Sequence, residues 1–330
     1  MTNASSVAAW LLACSLAVLW MVGIGGYTRL TESGLSITEW APVTGALPPL
    51  TPHAWENAFD AYRASPEYVR LRDKNMNVDD FKRIYIPEYL HRLSGRAVGL
   101  LFFLPLFYFW GRGALSAGEK KRLLAVGALG AAQGLVGWMM VRSGLNESPY
   151  VSHFWLAFHL GMALAVFSLL WTGFLERRGG RFSFFPTECV LFAWLCLQII
   201  LGALVAGKDA GAAFGTEFPT MNGAVIPFSS FPDSITAFFY DSLALHAMHR
   251  LSGMGLCLCA TGIAIVSFIK KSPRASGRVL FAAATLAQAA LGAMVVTSGV
   301  SVMWALVHQL FAAVLFAFIL RLFYIFNKSV

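Results

Sequence analysis

Seven histidines stand in this chain of 330 residues, and two of them sit in the same short motif. Glu88-Tyr89-Leu90-His91-Arg92-Leu93-Ser94-Gly95 leads into the apolar run 100–110. Leu245-His246-Ala247-Met248-His249-Arg250-Leu251-Ser252-Gly253 repeats its His-Arg-Leu-Ser-Gly core. The two motif histidines are 158 residues apart (249 − 91), close to half the chain. A carboxylate, an imidazole and a guanidinium at the mouth of an apolar helix are costly to place, and polar groups there mark function by default.

His159 and His308 fall in later apolar runs, one in each half of the chain. A lone histidine in such a helix reads first as a hydrogen-bonded packing residue. Four at matched depth in a duplicated unit suit axial nitrogen ligation of haem iron, two imidazoles on facing helices per iron. Zinc is the rival reading, but it calls for a third or fourth ligand close by. No carboxylate of the second half lies near His249. His246 and His249 share a helix face, and only His249 carries the adjoining arginine that matches His91-Arg92. Arg92 and Arg250 suit anionic haem propionates, which a guanidinium fork pairs well; pairing with lipid phosphate is the plainer alternative. Glu88 breaks the symmetry, because His246 holds the matching place in the second copy. A site with a positioned carboxylate can do acid–base work, whereas its counterpart would carry electrons or hold structure. A helix-start carboxylate favoured by the dipole is the plainer reading of Glu88.

The elements that must position these groups follow from composition. The chain is 57% hydrophobic and 13% charged, against roughly 25% charged in ordinary soluble domains. Runs of about 20 apolar residues span a bilayer. Eight segments qualify: 7–28, 89–110, 122–141, 153–174, 187–207, 242–269, 277–297 and 302–326. The net charge of +8 does not indicate nucleic acid, because the basic residues cluster in short loops between spans. Arg112, Lys120 and Lys121, then Arg177, Arg178 and Arg181, then Lys270, Lys271, Arg274 and Arg278 mark the even loops as cytoplasmic, and Arg321 and Lys328 add the C-terminal end. Both termini are then cytoplasmic. No lysine or arginine precedes Arg29, so the first run reads as a retained span rather than a signal or transit segment, which favours a bacterial inner membrane. The five cysteines lie in or at the edge of apolar runs, and no disulfide is expected.

Two long loops then lie outside, 29–88 and 208–241. The first carries Trp40, Trp55, Tyr62, Tyr68, Phe81 and Tyr85; the second carries Phe214, Phe218, Phe228, Phe231 and Phe238. Both are expected to fold over the outer mouth of the bundle. The repeat reaches further: Gly25-Gly26 with Glu32 and Gly34 matches Gly202-Ala203 with Asp209 and Gly211. Gln133 to Gly137 matches Gln288 to Gly292, and His159-Leu160 matches His308-Gln309. The expected fold is an all-α integral membrane protein, with eight transmembrane helices as two pseudo-symmetric four-helix bundles in residues 1–180 and 181–330.

The segment Gly25-Gly26-Tyr27-Thr28-Arg29-Leu30-Thr31-Glu32-Ser33-Gly34-Leu35-Ser36-Ile37-Thr38-Glu39-Trp40 is highly specific. With Pro42-Val43-Thr44-Gly45, Ser65-Pro66-Glu67-Tyr68, Glu88-Tyr89-Leu90-His91-Arg92, Pro219-Thr220-Met221-Asn222-Gly223 and His249-Arg250, it makes the chain similar to the heme A synthase family, in its proteobacterial and mitochondrial branch. The resemblance implies an enzyme that oxidises the C8 methyl of haem O to a formyl group by successive hydroxylations, giving haem A for terminal oxidases. It implies His91 and His159 around the substrate haem, with Glu88 as the acidic residue beside it. It implies a haem b held by His249 and His308 in the C-terminal half. It leaves the electron donor open, ferredoxin-like or quinol, and allows contacts with haem O synthase, with oxidase assembly factors and with further copies of the chain. The outer-loop cysteine pairs of the Gram-positive branch are missing, and Phe154-Trp155 stands where a Tyr-Arg pair is common. The rival readings are a membrane cytochrome b that only passes electrons and a haem carrier or assembly factor without turnover; a pure electron carrier has no need for Glu88.

Overall fold

The computed structural model describes residues 3–146, 149–227 and 231–326. Phe228 and Lys328, singled out above, lie outside the described residues. The long elements are helices: α1 (Asn3–Leu30), α2 (Pro52–Arg63), α3 (Pro66–Leu71), α4 (Val78–Gly111), α5 (Ala117–Ser143) and α6 (His153–Arg177), then α7 (Pro186–Gly207), α8 (Ile235–Phe238), α9 (Ser242–Ile269), α10 (Ala275–Thr297) and α11 (Val302–Leu322). Among the described residues, eight of them are long and apolar enough to cross a membrane, and the chain is an all-α, multi-pass membrane protein. It divides into two compact units, Met1–Leu170 and Trp171–Val330, and the dividing point falls within α6.

Two span boundaries differ from the sequence expectation. The helix that carries His91 begins at Val78, not at residue 89, because its start is set by capping rather than by apolarity. Asn77 accepts from the backbone N–H groups of Asp79 (2.8 Å) and Asp80 (3.1 Å), and Asp80 accepts in return from Asn77 N at 3.3 Å. Two acids in the first turn also suit the dipole. The last span stops at Leu322. Tyr324–Phe326 (β2) forms an antiparallel ribbon with Gly180–Phe182 (β1), in the register Gly180↔Phe326. Three residues on each side were too short a signal to see in the sequence.

In the first unit, α1 packs along α4. The Trp10 indole N–H donates to Leu101 O at 3.0 Å and its ring lies against Phe102 and Phe109. Loop 29–77 packs Phe59, Tyr62 and Tyr68 against Phe81 of α4, all four buried. In the second unit, α9 packs between α7 and α10. Glu188, fully buried, takes Arg274 Nε at 2.9 Å and Arg278 NH2 at 3.0 Å.

Candidate functional site

Each candidate ligand histidine packs on a glycine of the preceding long helix of its unit. A β-carbon on Gly137 (α5), Gly202 (α7) or Gly292 (α10) would lie 3.0 Å from Cε1 of His159, His249 or His308, respectively. A β-carbon on Gly25 (α1) would lie 3.2 Å from Nε2 of His91. Any larger residue at these positions would push the imidazole away, so the glycines set where the rings stand. All four histidines are half-buried.

The histidines come in pairs. His249 and His308 face one another with ring centroids 6.4 Å apart and planes at 81°. A metal ion bonded to one nitrogen of each ring at about 2 Å places the ring centres about 6 Å apart, so this pair fits an iron held from both sides. His91 and His159 are electrostatic neighbours in the first unit. Among the described residues, no three of His, Cys, Asp and Glu gather as a metal-ligand group. Paired axial imidazoles of a haem need no third protein ligand, and the donor set fits that group.

Three glutamines escaped the sequence reading as ligand partners. Gln133 Nε2 donates to His159 O at 2.9 Å, Gln198 Nε2 to His249 O at 2.9 Å, and Gln288 Nε2 to His308 O at 3.0 Å. The same amide nitrogens lie 3.1 Å from His249 Nδ1 and 3.2 Å from His308 Nδ1. Each glutamine keeps a buried Oε1 with no hydrogen-bond partner, an acceptor beside a ring whose second nitrogen needs one when the first binds metal. The signal was present in the sequence: Gln-x-x-x-Gly occurs as Gln133/Gly137, Gln198/Gly202 and Gln288/Gly292, and this spacing puts both residues on one helix face.

The mouths of the two units are built differently around the motif. Glu88 is 3% exposed and both its oxygens are engaged. Oε2 accepts from Ser36 Oγ (2.7 Å) and Ile37 N (2.8 Å), and Oε1 accepts from Arg92 Nε (3.1 Å) and NH2 (2.6 Å). Arg92 also donates to Ile37 O and Glu39 O, each at 2.8 Å. Of the five N–H donors of a guanidinium, one on NH1 is left. Arg92 lines a cleft of about 160 Å³ with Glu39, Trp40, Trp138 and Arg142, in which Trp40 stacks on Trp138 at 4.9 Å. Tyr89 and Arg96 fasten the same loop further along, to Ala46 O (2.8 Å) and to Ala41 O (2.8 Å) and Pro42 O (2.9 Å).

In the second unit Arg250 NH2 donates to Pro219 O (3.0 Å) and Thr220 O (3.2 Å), so loop 208–241 is also tied to the motif helix. Arg250 NH1 is buried without a hydrogen-bond partner, and so is Nδ1 of His246, which stands where Glu88 stands in the first unit. The His246 ring lies 5.5 Å from that of Phe214. His53 sits apart, 3.4 Å from Asn57 in α2. His153 is buried against Phe154.

A family model described as "cytochrome oxidase assembly protein" (COX15-CtaA) matches residues 8–320. A protein of Anaplasma marginale (strain Florida) named Heme A synthase is 43% identical over 319 residues, covering 94% of this chain and 91% of that protein. A Heme A synthase of Neorickettsia sennetsu is 42% identical over 309 residues, covering 93% and 94%. One of Maricaulis maris is 39% identical over 328 residues, covering 96% and 94%.

Proposed function

We propose the function from one premise, that the chain belongs to the COX15-CtaA family of cytochrome oxidase assembly proteins. It is a heme A synthase, an oxidoreductase that takes the C8 methyl of haem O to a formyl group by successive hydroxylations. The observation that carries the reading is a duplicated histidine–glycine pairing in which only the first copy has a carboxylate one turn before the motif histidine, ion-paired to the motif arginine. A protein that merely passes electrons has no use for that difference.

On this reading His91 and His159 stand on either side of haem O in the first unit. His249 and His308 hold a haem b in the second, whose iron would relay electrons when bound. Arg250, with its buried NH1 open, is the donor for a haem b propionate. Arg92 serves mainly as the strut between Glu88 and loop 29–77, with its one remaining N–H toward the cleft. Glu88 has two tasks at one carboxylate. It latches Ser36 and Ile37 over the mouth, and it is the titratable group one turn from His91. A proton taken at Oε1 would compete with the Arg92 pair, so proton transfer and loosening of the strut are linked at that atom.

The basic loops support a reading in which both termini are cytoplasmic and the mouths with their two loops face the outer side of a bacterial inner membrane. An electron donor, ferredoxin-like or quinol, and contacts with haem O synthase or oxidase assembly factors complete the proposed setting.

The test is expression in a membrane background that makes haem O but no haem A, followed by haem extraction and separation by mass. Haem A or its hydroxylated intermediate is the expected product. Bound haem b with unaltered haem O, in a folded protein supplied with electrons, would sink the enzyme reading in favour of an electron carrier.

A further inference from the structure

Three of the four histidines are held alike and one is not. His159, His249 and His308 each present Cε1 first to their glycine, at 3.0 Å from the added β-carbon, then Nδ1, with Nε2 the third atom at 3.8 Å. Each also has a glutamine donating to its backbone carbonyl. That bond ties the helix bearing the histidine to its neighbour at the level of the ring, and so fixes helix register there.

His91 departs in both respects. Its Nε2 is the atom nearest Gly25, at 3.2 Å, so the ring is turned relative to the other three. The place four residues before Gly25 holds Met21 rather than glutamine. Met21 occupies the volume of the missing amide. A β-carbon on Gly95 would meet Met21 Cε at 3.6 Å, and one on the matching Gly253 would meet Gln198 Nε2 at 3.0 Å. A thioether has no N–H to donate, so nothing at this position pins the His91 carbonyl. Methionine is also the most compliant apolar filler, with three rotatable bonds.

We infer that Gln133, Gln198 and Gln288 are positioning residues that pin three histidines, and that Met21 leaves His91 as the one ligand free to leave iron. This rests on the proposed function and deepens it, since an iron held by two imidazoles has no open position for an incoming molecule. The ring that yields is then on the same helix face as Glu88, and the fixed ring is His159.

Carbon monoxide tests this without turnover, because it binds a reduced bis-imidazole haem only as one imidazole lets go. The probe is added to the reduced, haem O-loaded full-length protein, and binding is followed optically. The wild-type protein should bind it at haem O and exclude it from haem b. Met21→Gln should slow binding by about tenfold or more, the scale on which partners of a metal-bound histidine act. Gln198→Met and Gln288→Met should each open haem b to the gas. Haem content and the spectrum of the unaltered half report folding in every variant.

Equal binding by the wild type and Met21→Gln at equal haem O content would overturn the inference. If Met21→Gln retains no haem O, the two glutamine variants decide, and a haem b still closed to the gas in both overturns it. A wild-type protein that takes up no haem O would instead be a failure of the proposed function.

Discussion

Around the first motif, the arginine after the histidine divides its donors between two loop carbonyls and Glu88. Around the second, Arg250 reaches two loop carbonyls and keeps NH1 buried and open, with His246 in place of the acid. The scaffold is the same in both: loop carbonyls on an arginine, a glycine under the histidine, an indole on the motif serine. Trp20 Nε1 meets Ser94 Oγ at 3.2 Å, and Trp194 Nε1 meets Ser252 Oγ at 3.1 Å. What differs is the direct ion pair: Arg92 meets Glu88 at 2.6 Å, whereas Arg250 feels Glu217 only at longer range. The first mouth closes on itself through a buried ion pair. The second holds a positive charge with a donor to offer, which is what a resident anionic cofactor would complete. A substrate that must enter and leave is better served by a mouth that is stable without it.

The loops differ in the same sense. Loop 29–77 has an aromatic core completed by Phe81 of α4, and a buried polar cluster. Tyr62 OH donates to Glu67 Oε2 at 3.1 Å, Arg72 Nε donates to Tyr62 OH at 3.0 Å, and Arg72 NH2 reaches Glu67 Oε1 at 2.8 Å. Burial pushes the Glu67 carboxyl above its usual range against the pull of Arg72, and pushes the Tyr62 phenol up as well. Loop 208–241 packs a smaller cluster, Phe214 and Met221 against Ala247 of α9.

The contrast can be broken most severely at Glu88. Glu88→Ala removes the acceptor of four donors and leaves Arg92 without its partner, a change that costs about 3–5 kcal/mol at buried pairs. Haem A formation should fall by about a hundredfold or more, while the haem b spectrum of the second unit stays as it was. Loss of both together would show that the two mouths are not independent. Arg72→Ala comes next, and should loosen loop 29–77 by about 3 kcal/mol. Hydrogen exchange would rise across 52–76 and stay unchanged across 208–241.

Arg250→Leu tests the open donor. It should weaken haem b retention by about 2 kcal/mol, the scale of a hydrogen bond to a charged group, as measured by haem loss to a scavenging apoprotein. Unchanged retention would mean that NH1 does not serve the cofactor. The smallest effect is one of pH. Glu67 has a raised pKa in the folded loop, so the folded state binds its proton more tightly than the unfolded one. The stability from this group is therefore full below the ordinary carboxylate value and declines as pH rises through the raised one. Exchange across 52–76 should be slower at mildly acid pH than at neutrality, after correction for intrinsic rates, and Glu67→Gln should flatten that difference.

Much of this was legible in the residues. Apolar length alone located eight spans, because a helix in lipid must satisfy its backbone internally and must be apolar throughout. Duplication of His-Arg-Leu-Ser-Gly showed two like units. The start of α4 was misplaced because Asn77 and Asp80 cap a polar stretch that hydropathy ignores. The ribbon of β1 and β2 was missed because residues 324–326 read as the tail of a span and residues 180–182 as a short loop. Gln198 was overlooked because the Gln-x-x-x-Gly spacing it shares with Gln133 and Gln288 has no evident purpose until the carbonyl that each amide meets is known.

Sequence by itself determined the number of spans, the repeat, the histidines and the family, since each depends on residue type and order along one chain. Only the tertiary structure decided which donors are already taken. That Glu88 and Arg92 are bound to each other and to the loop, that Arg250 NH1 is open, and that His91 lacks the pin its three counterparts share are facts about distances between helices. Hydrogen-bond satisfaction is settled by those distances at the scale of an ångström, which no spacing along the chain encodes.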